Sequence, residues 1–239
     1  DEEEVDALKN YVRNGGGLYA SKYTSLTAKD GTRKEDFLLA DLFGVSYLGE
    51  TKENFTYISP TEEGKYFFTG YSPKYPLSIY GPQLRIKARK GAKVLGNIVI
   101  PYTDPKDSSR YASIHSNPPG MITDYPAVVL NEYGEGKVIY VTGDLEDVEA
   151  HHDAFTLLIR SLSSKPFILE SDAPKSVEIT VFHQEDKKRY IINLLNFQKE
   201  LPNIAVDEIK VGMRLGNRRI KRLIKLPEEE KLNYDIIED

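Results

Sequence analysis

The chain has 239 residues, 40% of them hydrophobic and 29% charged, and carries a formal net charge of −5. That length can bury a real core as one large domain or two modest ones. Zero cysteines exclude disulfides, thiolate metal sites and a cysteine nucleophile while leaving the compartment open; the mild charge gives no reason to expect nucleic acid, and no apolar run reaches the roughly 18 residues of a membrane span.

The sequence opens on Asp1 rather than Met and is expected to be a fragment of a longer protein. Asp1 suits a helix N-cap, and Glu2, Glu3 and Glu4 favour the first turn. Val5, Leu8 and Val12 mark one apolar helical face. Gly15-Gly16-Gly17 stops that helix, and Leu18-Tyr19-Ala20 reads as a buried strand, one step of an α/β fold. A short helix is expected from Phe37 to Phe43, ending at Gly44, followed by a strand from Val45 to Leu48.

Phe55 to Ile58 alternates weakly, and Tyr66 to Pro82 is an irregular stretch crowded with Tyr, Pro and Gly. Ala92 to Ile100 is a buried strand closed by Pro101, and a long loop is expected from Tyr102 to Tyr125. Strands Ala127–Leu130 and Lys137–Thr142 follow, joined through Asn131 to Gly136 as a hairpin-type connection. A helix from about Val148 to Leu162 closes the first domain. Beyond Ser163-Ser164-Lys165-Pro166 the periodicity becomes alternating. Val177, Ile179 and Val181, then Tyr190, Ile192 and Leu194, then Val211, Met213 and Leu215 mark strands, with a further β segment from Ile220 to Leu226. This is a small all-β module, expected as an antiparallel sandwich.

Few residues carry chemistry. His115, in the long loop beside Pro118-Pro119-Gly120, could sit at a ligand-binding rim or simply bond the backbone. His151, His152 and Asp153 lack partners at i+3 or i+4, so capping or surface roles suit them better than a metal. Asp144 ends a strand, where α/β folds place active groups, but it and Asp147 equally suit caps of the following helix. The glycine triplet follows a helix and precedes a strand, the reverse of a phosphate cradle. Arg214, Arg218, Arg219, Lys221, Arg222 and Lys225 form a run best read as a solvated strand face. Tyr66, Tyr71, Tyr75 and Tyr80 could supply stacking faces for a sugar, or core and interface contacts. No catalytic pair or metal set emerges, and no cofactor is indicated.

Three segments carry a family resemblance. They are Tyr11-Val12-Arg13-Asn14-Gly15-Gly16-Gly17-Leu18, Ala40-Asp41-Leu42-Phe43-Gly44-Val45, and Pro126 through Leu130 continuing from Tyr133 to Tyr140. Together they resemble the glutamine-amidotransferase-like α/β domain, called the trimerisation domain, that follows the catalytic barrel in β-galactosidases of glycoside hydrolase family 42. The tail from Val177, with Ile191 to Phe197, is similar to the small β domain that ends such enzymes. Glycoside hydrolases closer to α-fucosidase-like barrels carry the same two modules. The resemblance implies an amidotransferase-like (flavodoxin-like) α/β domain over residues 1–165 and a small C-terminal β-sandwich over 170–239. It implies an upstream catalytic barrel of the same polypeptide and a homo-oligomer, a trimer, as partners. No barrel and no nucleophilic cysteine stand in this sequence, so no catalytic residue transfers to it. What remains is an accessory role, or alternatively carbohydrate binding through His115, Tyr71 and Tyr75.

Overall fold

The computed structural model describes residues 2–113 and 116–237, and the chain divides into two units, Asp1–Lys165 and Pro166–Asp239. In the first unit, helix α1 (Glu2–Arg13) has three glutamates in its first turn and Arg13 in its last, both favourable to the helix dipole. Gly15 sits at φ 94°, in the left-handed region that ends helices. Its N–H donates to the Val12 carbonyl at 2.9 Å, and that of Gly16 to the Tyr11 carbonyl at 3.0 Å. Asp1, the expected cap, lies outside the described residues.

The chain then forms β1 (Gly17–Ser21), α2 (Ala40–Phe43), β2 (Val45–Glu50), β3 (Phe55–Pro60), β4 (Leu77–Tyr80), β5 (Leu84–Ala88), β6 (Lys93–Pro101), β7 (Pro119–Tyr133) and β8 (Gly136–Val141). Two 3-10 turns, Leu145–Asp147 and Glu149–His151, lead into α3 (His152–Ser161). The expected continuous helix from Val148 is therefore shorter, because Val148 is extended at φ −97° and ψ 101° and no helix can run through it.

Six strands form one curled sheet in the order β1-β8-β7-β6-β3-β4. Only β1 and β8 run parallel; the other neighbours, and the separate β2–β5 pair, are antiparallel. A flavodoxin-like sheet is parallel throughout, and this one is not. The chain as a whole is mostly β.

The apolar run of β8 shows why the sheet is central. Val138 and Tyr140 pack into one core with Val12 of α1, Phe37, Phe43 of α2 and Leu84 and Ile86 of β5. Ile139 and Val141 pack into the other with Ile58, Leu77, Ile98 and Leu158 of α3. Alternate side chains thus enter opposite covered faces, so the strand reads as continuously apolar. Each fully buried side chain of this size contributes about 1.5–3 kcal/mol.

β4 lies inside the Tyr66–Pro82 stretch expected to be irregular, and β5 follows it where no element was expected. The expected loop from Tyr102 to Tyr125 also ends early, since β7 begins at Pro119, opposite Pro101. Prolines lack the N–H a regular ladder needs, and the β6–β7 register shifts repeatedly between Val94 and Pro101.

The second unit contains strands alone among its described elements: β9 (Leu169–Ser171), β10 (Val177–Gln184), β11 (Arg189–Asn196), β12 (Val211–Met213), β13 (Ile224–Lys225) and β14 (Glu230–Lys231). They pair as three antiparallel ladders, β10–β11, β9–β12 and β13–β14. The β segment expected from Ile220 to Leu226 contracts to Ile224–Lys225. Val177 is the one buried residue among the unit's described residues.

Candidate functional site

The parallel ladder brings the carboxyl ends of β1 and β8 to the same side, the position where open α/β sheets hold ligands. A polar cluster sits there. The Tyr19 hydroxyl donates to Glu146 at 2.7 Å, and the Ser21 hydroxyl donates to the other Glu146 oxygen at 2.5 Å. Lys22 pairs with Asp144. Asp144 makes no side-chain capping bond, so the reading of it as a helix cap is corrected to that of an ion-pair partner. Burial first, and the bond to Glu146 second, push the Tyr19 phenol well above its ordinary range.

Lys22 is itself held in the left-handed region, at φ 44°. Its N–H donates to the Val141 carbonyl at 2.9 Å, and its carbonyl accepts from the buried Tyr140 hydroxyl at 2.6 Å. Tyr140 stacks on Phe43 with centroids 5.0 Å apart. The surrounding core therefore fixes a turn whose backbone is costly on its own. Each carboxylate already accepts from a cluster partner, so what this arrangement does is order the turn after β1.

Beside it runs a buried amide network. Gln83 donates through Nε2 to the Thr56 hydroxyl and the Tyr57 carbonyl, both at 3.0 Å, while its Oε1 accepts from the Thr142 hydroxyl at 2.8 Å. Gln83, Thr56 and Thr142 are fully buried, and the mutual bonding is what makes that burial tolerable.

A third cluster engages one of the singled-out tyrosines. His151, only 4% exposed, donates from Nε2 to the Ser78 carbonyl of β4 at 2.8 Å. That bond leaves Nδ1 of the neutral ring to accept from the Tyr71 hydroxyl at 2.6 Å. The same hydroxyl lies 3.0 Å from the Ala150 carbonyl. Burial holds the imidazole pKa below its ordinary value, against the opposing pull of the Ser78 and Ala150 backbone bonds. His152 is exposed and packs edge-on to Phe155, so the two histidines do not share a site.

Tyr75 is 65% exposed, with the Lys74 ammonium 5.3 Å from its ring centroid. Tyr66 and Tyr80 are similarly exposed. Thus Tyr71 is anchored to His151 while Tyr75 faces solvent, and His115 lies outside the described residues. Elsewhere an open groove of about 660 Å³ runs past Leu48, Ile86, Val94, Met121, Ile122 and Tyr125. Sequence reasoning missed Tyr19, Ser21, Lys22 and Glu146; the available signal was the acidic stretch from Asp144 to Asp147 directly after a buried strand.

No protein-family model matches the chain, and no curated protein matches it by sequence. Solved structures do match. The chain is similar to α-L-fucosidase isoenzyme 2 from Paenibacillus thiaminolyticus, with a TM-score of 0.75 and 20% identity over 98% of this chain and 35% of that one. A GH42 β-galactosidase from G. stearothermophilus gives a TM-score of 0.60 at 19% identity, over 97% of this chain and 28% of that one. The cold-adapted β-galactosidase from Rahnella sp. R3 gives 0.56 at 19%, over 89% and 29%. What is shared is the fold. The chain spans about a third or less of the length of these neighbours.

Proposed function

We propose that this chain is a non-catalytic accessory and oligomerisation region of a glycoside hydrolase. Residues 1–165 would act as an amidotransferase-like, trimerisation-type domain and residues 170–239 as a small β-sandwich domain, with an upstream catalytic barrel of the same polypeptide as partner. The observation that carries this reading is the match over 98% of the chain to only 35% of a fucosidase. Barrel-fold hydrolases hold their acid and nucleophile on the barrel, and the polar clusters of this chain are engaged in internal bonds. Purified chain assayed with aryl-glycosides is expected to show no turnover. Light scattering across a wide concentration range is expected to show self-association that Tyr66→Asp and Tyr75→Asp weaken. Turnover that follows the protein peak through re-purification, or a strictly monomeric chain whose full-length parent is also monomeric, overturns the reading.

A second reading has one observation in its favour. The rings of Tyr66, Tyr75 and Tyr80 are each about two-thirds exposed, and an exposed tyrosine ring can stack on a sugar face. Under it, Tyr75 would hold carbohydrate, with Tyr71 and His115 contributing. Sugar titration followed by tyrosine fluorescence separates the two readings.

A further inference from the structure

Cations of the first unit are commonly neutralised. Lys9 pairs with Asp41, Lys22 with Asp144, Arg33 with Glu50, Arg89 with Asp36 and Lys93 with Glu132. The second unit contains the opposite case. Arg218, Arg219, Lys221 and Arg222 are all exposed. No acidic residue interrupts the sequence from Arg214 to Lys225. Arg219, Lys221 and Arg222 have no hydrogen bond or ion pair among the described residues. Consecutive Cα atoms are about 3.8 Å apart, so adjacent cations repel within the screening length of about 8 Å. Neither helix nor ladder is assigned from residue 218 to 223, so the structure gains no regular element from this clustering. The chain as a whole is acidic, at −5, and the segment stands against that sign.

One end of the segment is held by a stack of flat groups. The Arg218 guanidinium donates to the Tyr190 hydroxyl at 2.6 Å and lies 5.9 Å from the Tyr190 ring centroid. That ring stacks on His183, with centroids 4.3 Å apart and planes 12° from parallel. An ordered guanidinium beside free ones suits carboxylate and sulfate groups, which arginine grips through two parallel bonds.

We infer that the strip from Arg218 to Arg222 docks an anionic glycan, a polymer bearing uronate or sulfate groups. Four cations within five consecutive residues fit a polymer of repeated charges better than a single small anion. The choice of glycan rests on the proposed role in carbohydrate processing. Duplex DNA is the competing polyanion, and the titration below includes it for that reason.

The test is titration calorimetry of the 239-residue chain with polygalacturonate, neutral galactan and duplex DNA, at low and physiological salt. Saturable binding of polygalacturonate that weakens with salt is expected, with galactan inert. The triple variant Arg219→Ser, Lys221→Ser, Arg222→Ser should bind about tenfold more weakly with an unchanged circular dichroism spectrum. No binding by the wild type, equal binding of galactan, tighter binding of duplex, or a triple variant that binds as well as wild type overturns the inference. Glycoside turnover and light scattering read the accessory role independently, so a failure of one is distinguishable from a failure of the other.

Discussion

The hydroxyl of Tyr71 lies 2.6 Å from Nδ1 of His151 and 3.0 Å from the Ala150 carbonyl, so one proton serves two acceptors. While the imidazole is neutral, the hydroxyl satisfies Nδ1. Once the ring is protonated, Nδ1 becomes a donor to the phenol oxygen, and the hydroxyl turns to Ala150. Geometry accommodates both states, and burial disfavours the charged one.

This fixes a direction for pH. The folded pKa of His151 is lowered, so below about 6.5 the unfolded chain takes up its proton first. Above that value the residue contributes no penalty, and stability falls as pH drops through the ordinary pKa toward the folded one. Urea midpoints measured from pH 7.5 down to 5 should decline, and His151→Gln should flatten that part of the slope. An equally steep decline in the variant would assign the effect elsewhere.

Tyr140→Phe removes the donor to the Lys22 carbonyl while keeping the ring in its stack. A lost bond to a buried group costs about 1–3 kcal/mol. Tyr140→Ala adds a cavity, and truncation of a large aromatic costs about 3–5 kcal/mol. Equilibrium denaturation of the two variants should separate the bond from the ring, with the alanine clearly worse.

Backbone proximity makes Gly136 irreplaceable. A Cβ there would come within 2.1 Å of the Val12 carbonyl and 2.3 Å of the Gly16 carbonyl, so the end of α1 and the start of β1 would have to move. Gly136→Ala is expected to cost about 3 kcal/mol or more, at or beyond the upper end of ordinary overpacking. Gly91→Ala is the control. Its φ of 96° disfavours alanine but no atom lies within 4 Å, so thermal melting should fall by much less.

Limited proteolysis should cut first between Ser163 and Lys175 and leave a stable larger fragment. Residues 163–168, between α3 and β9, carry neither helix nor ladder where the two units meet, and exposed connections are the preferred sites of nicking. Residues 166–239 expressed alone should show no cooperative unfolding, because one buried side chain among the described residues cannot offset the entropy of ordering the chain. A sharp transition for that fragment, or early cleavage inside β7 or β8, would contradict the expectation.

The helical face of α1, the glycine stop, the strands β6 and β8 and the buried second half of β7 were legible because each is set by neighbours close in sequence. β4 and β5 also alternate, as Leu77-Ser78-Ile79-Tyr80 and Leu84-Arg85-Ile86-Lys87, but Pro76, Gly81 and Pro82 masked that period with turn chemistry. The polar clusters were not legible. Asp144 finds Lys22, and His151 finds Ser78, only because strand order carries distant segments together. Nothing local in the His151-His152 pair says which ring turns inward. The flavodoxin-like fold that the resemblance implies has a parallel sheet, whereas hairpins make most pairs of this one antiparallel.

The parallel ladder pairs Gly17 with Lys137 and Ser21 with Val141. β1, the first strand of this sheet to be made, therefore has no partner until the last strand of the sheet has been made. Through that interval Leu18 and Tyr19 wait beside an unfinished sheet, and the remaining strands can assemble as hairpins without them. Loop closure on that scale is slow relative to local hairpin formation. Docking of β1 is thus the natural final step in assembling this sheet, and a nascent chain stalled before residue 141 would hold α1 open to chaperones.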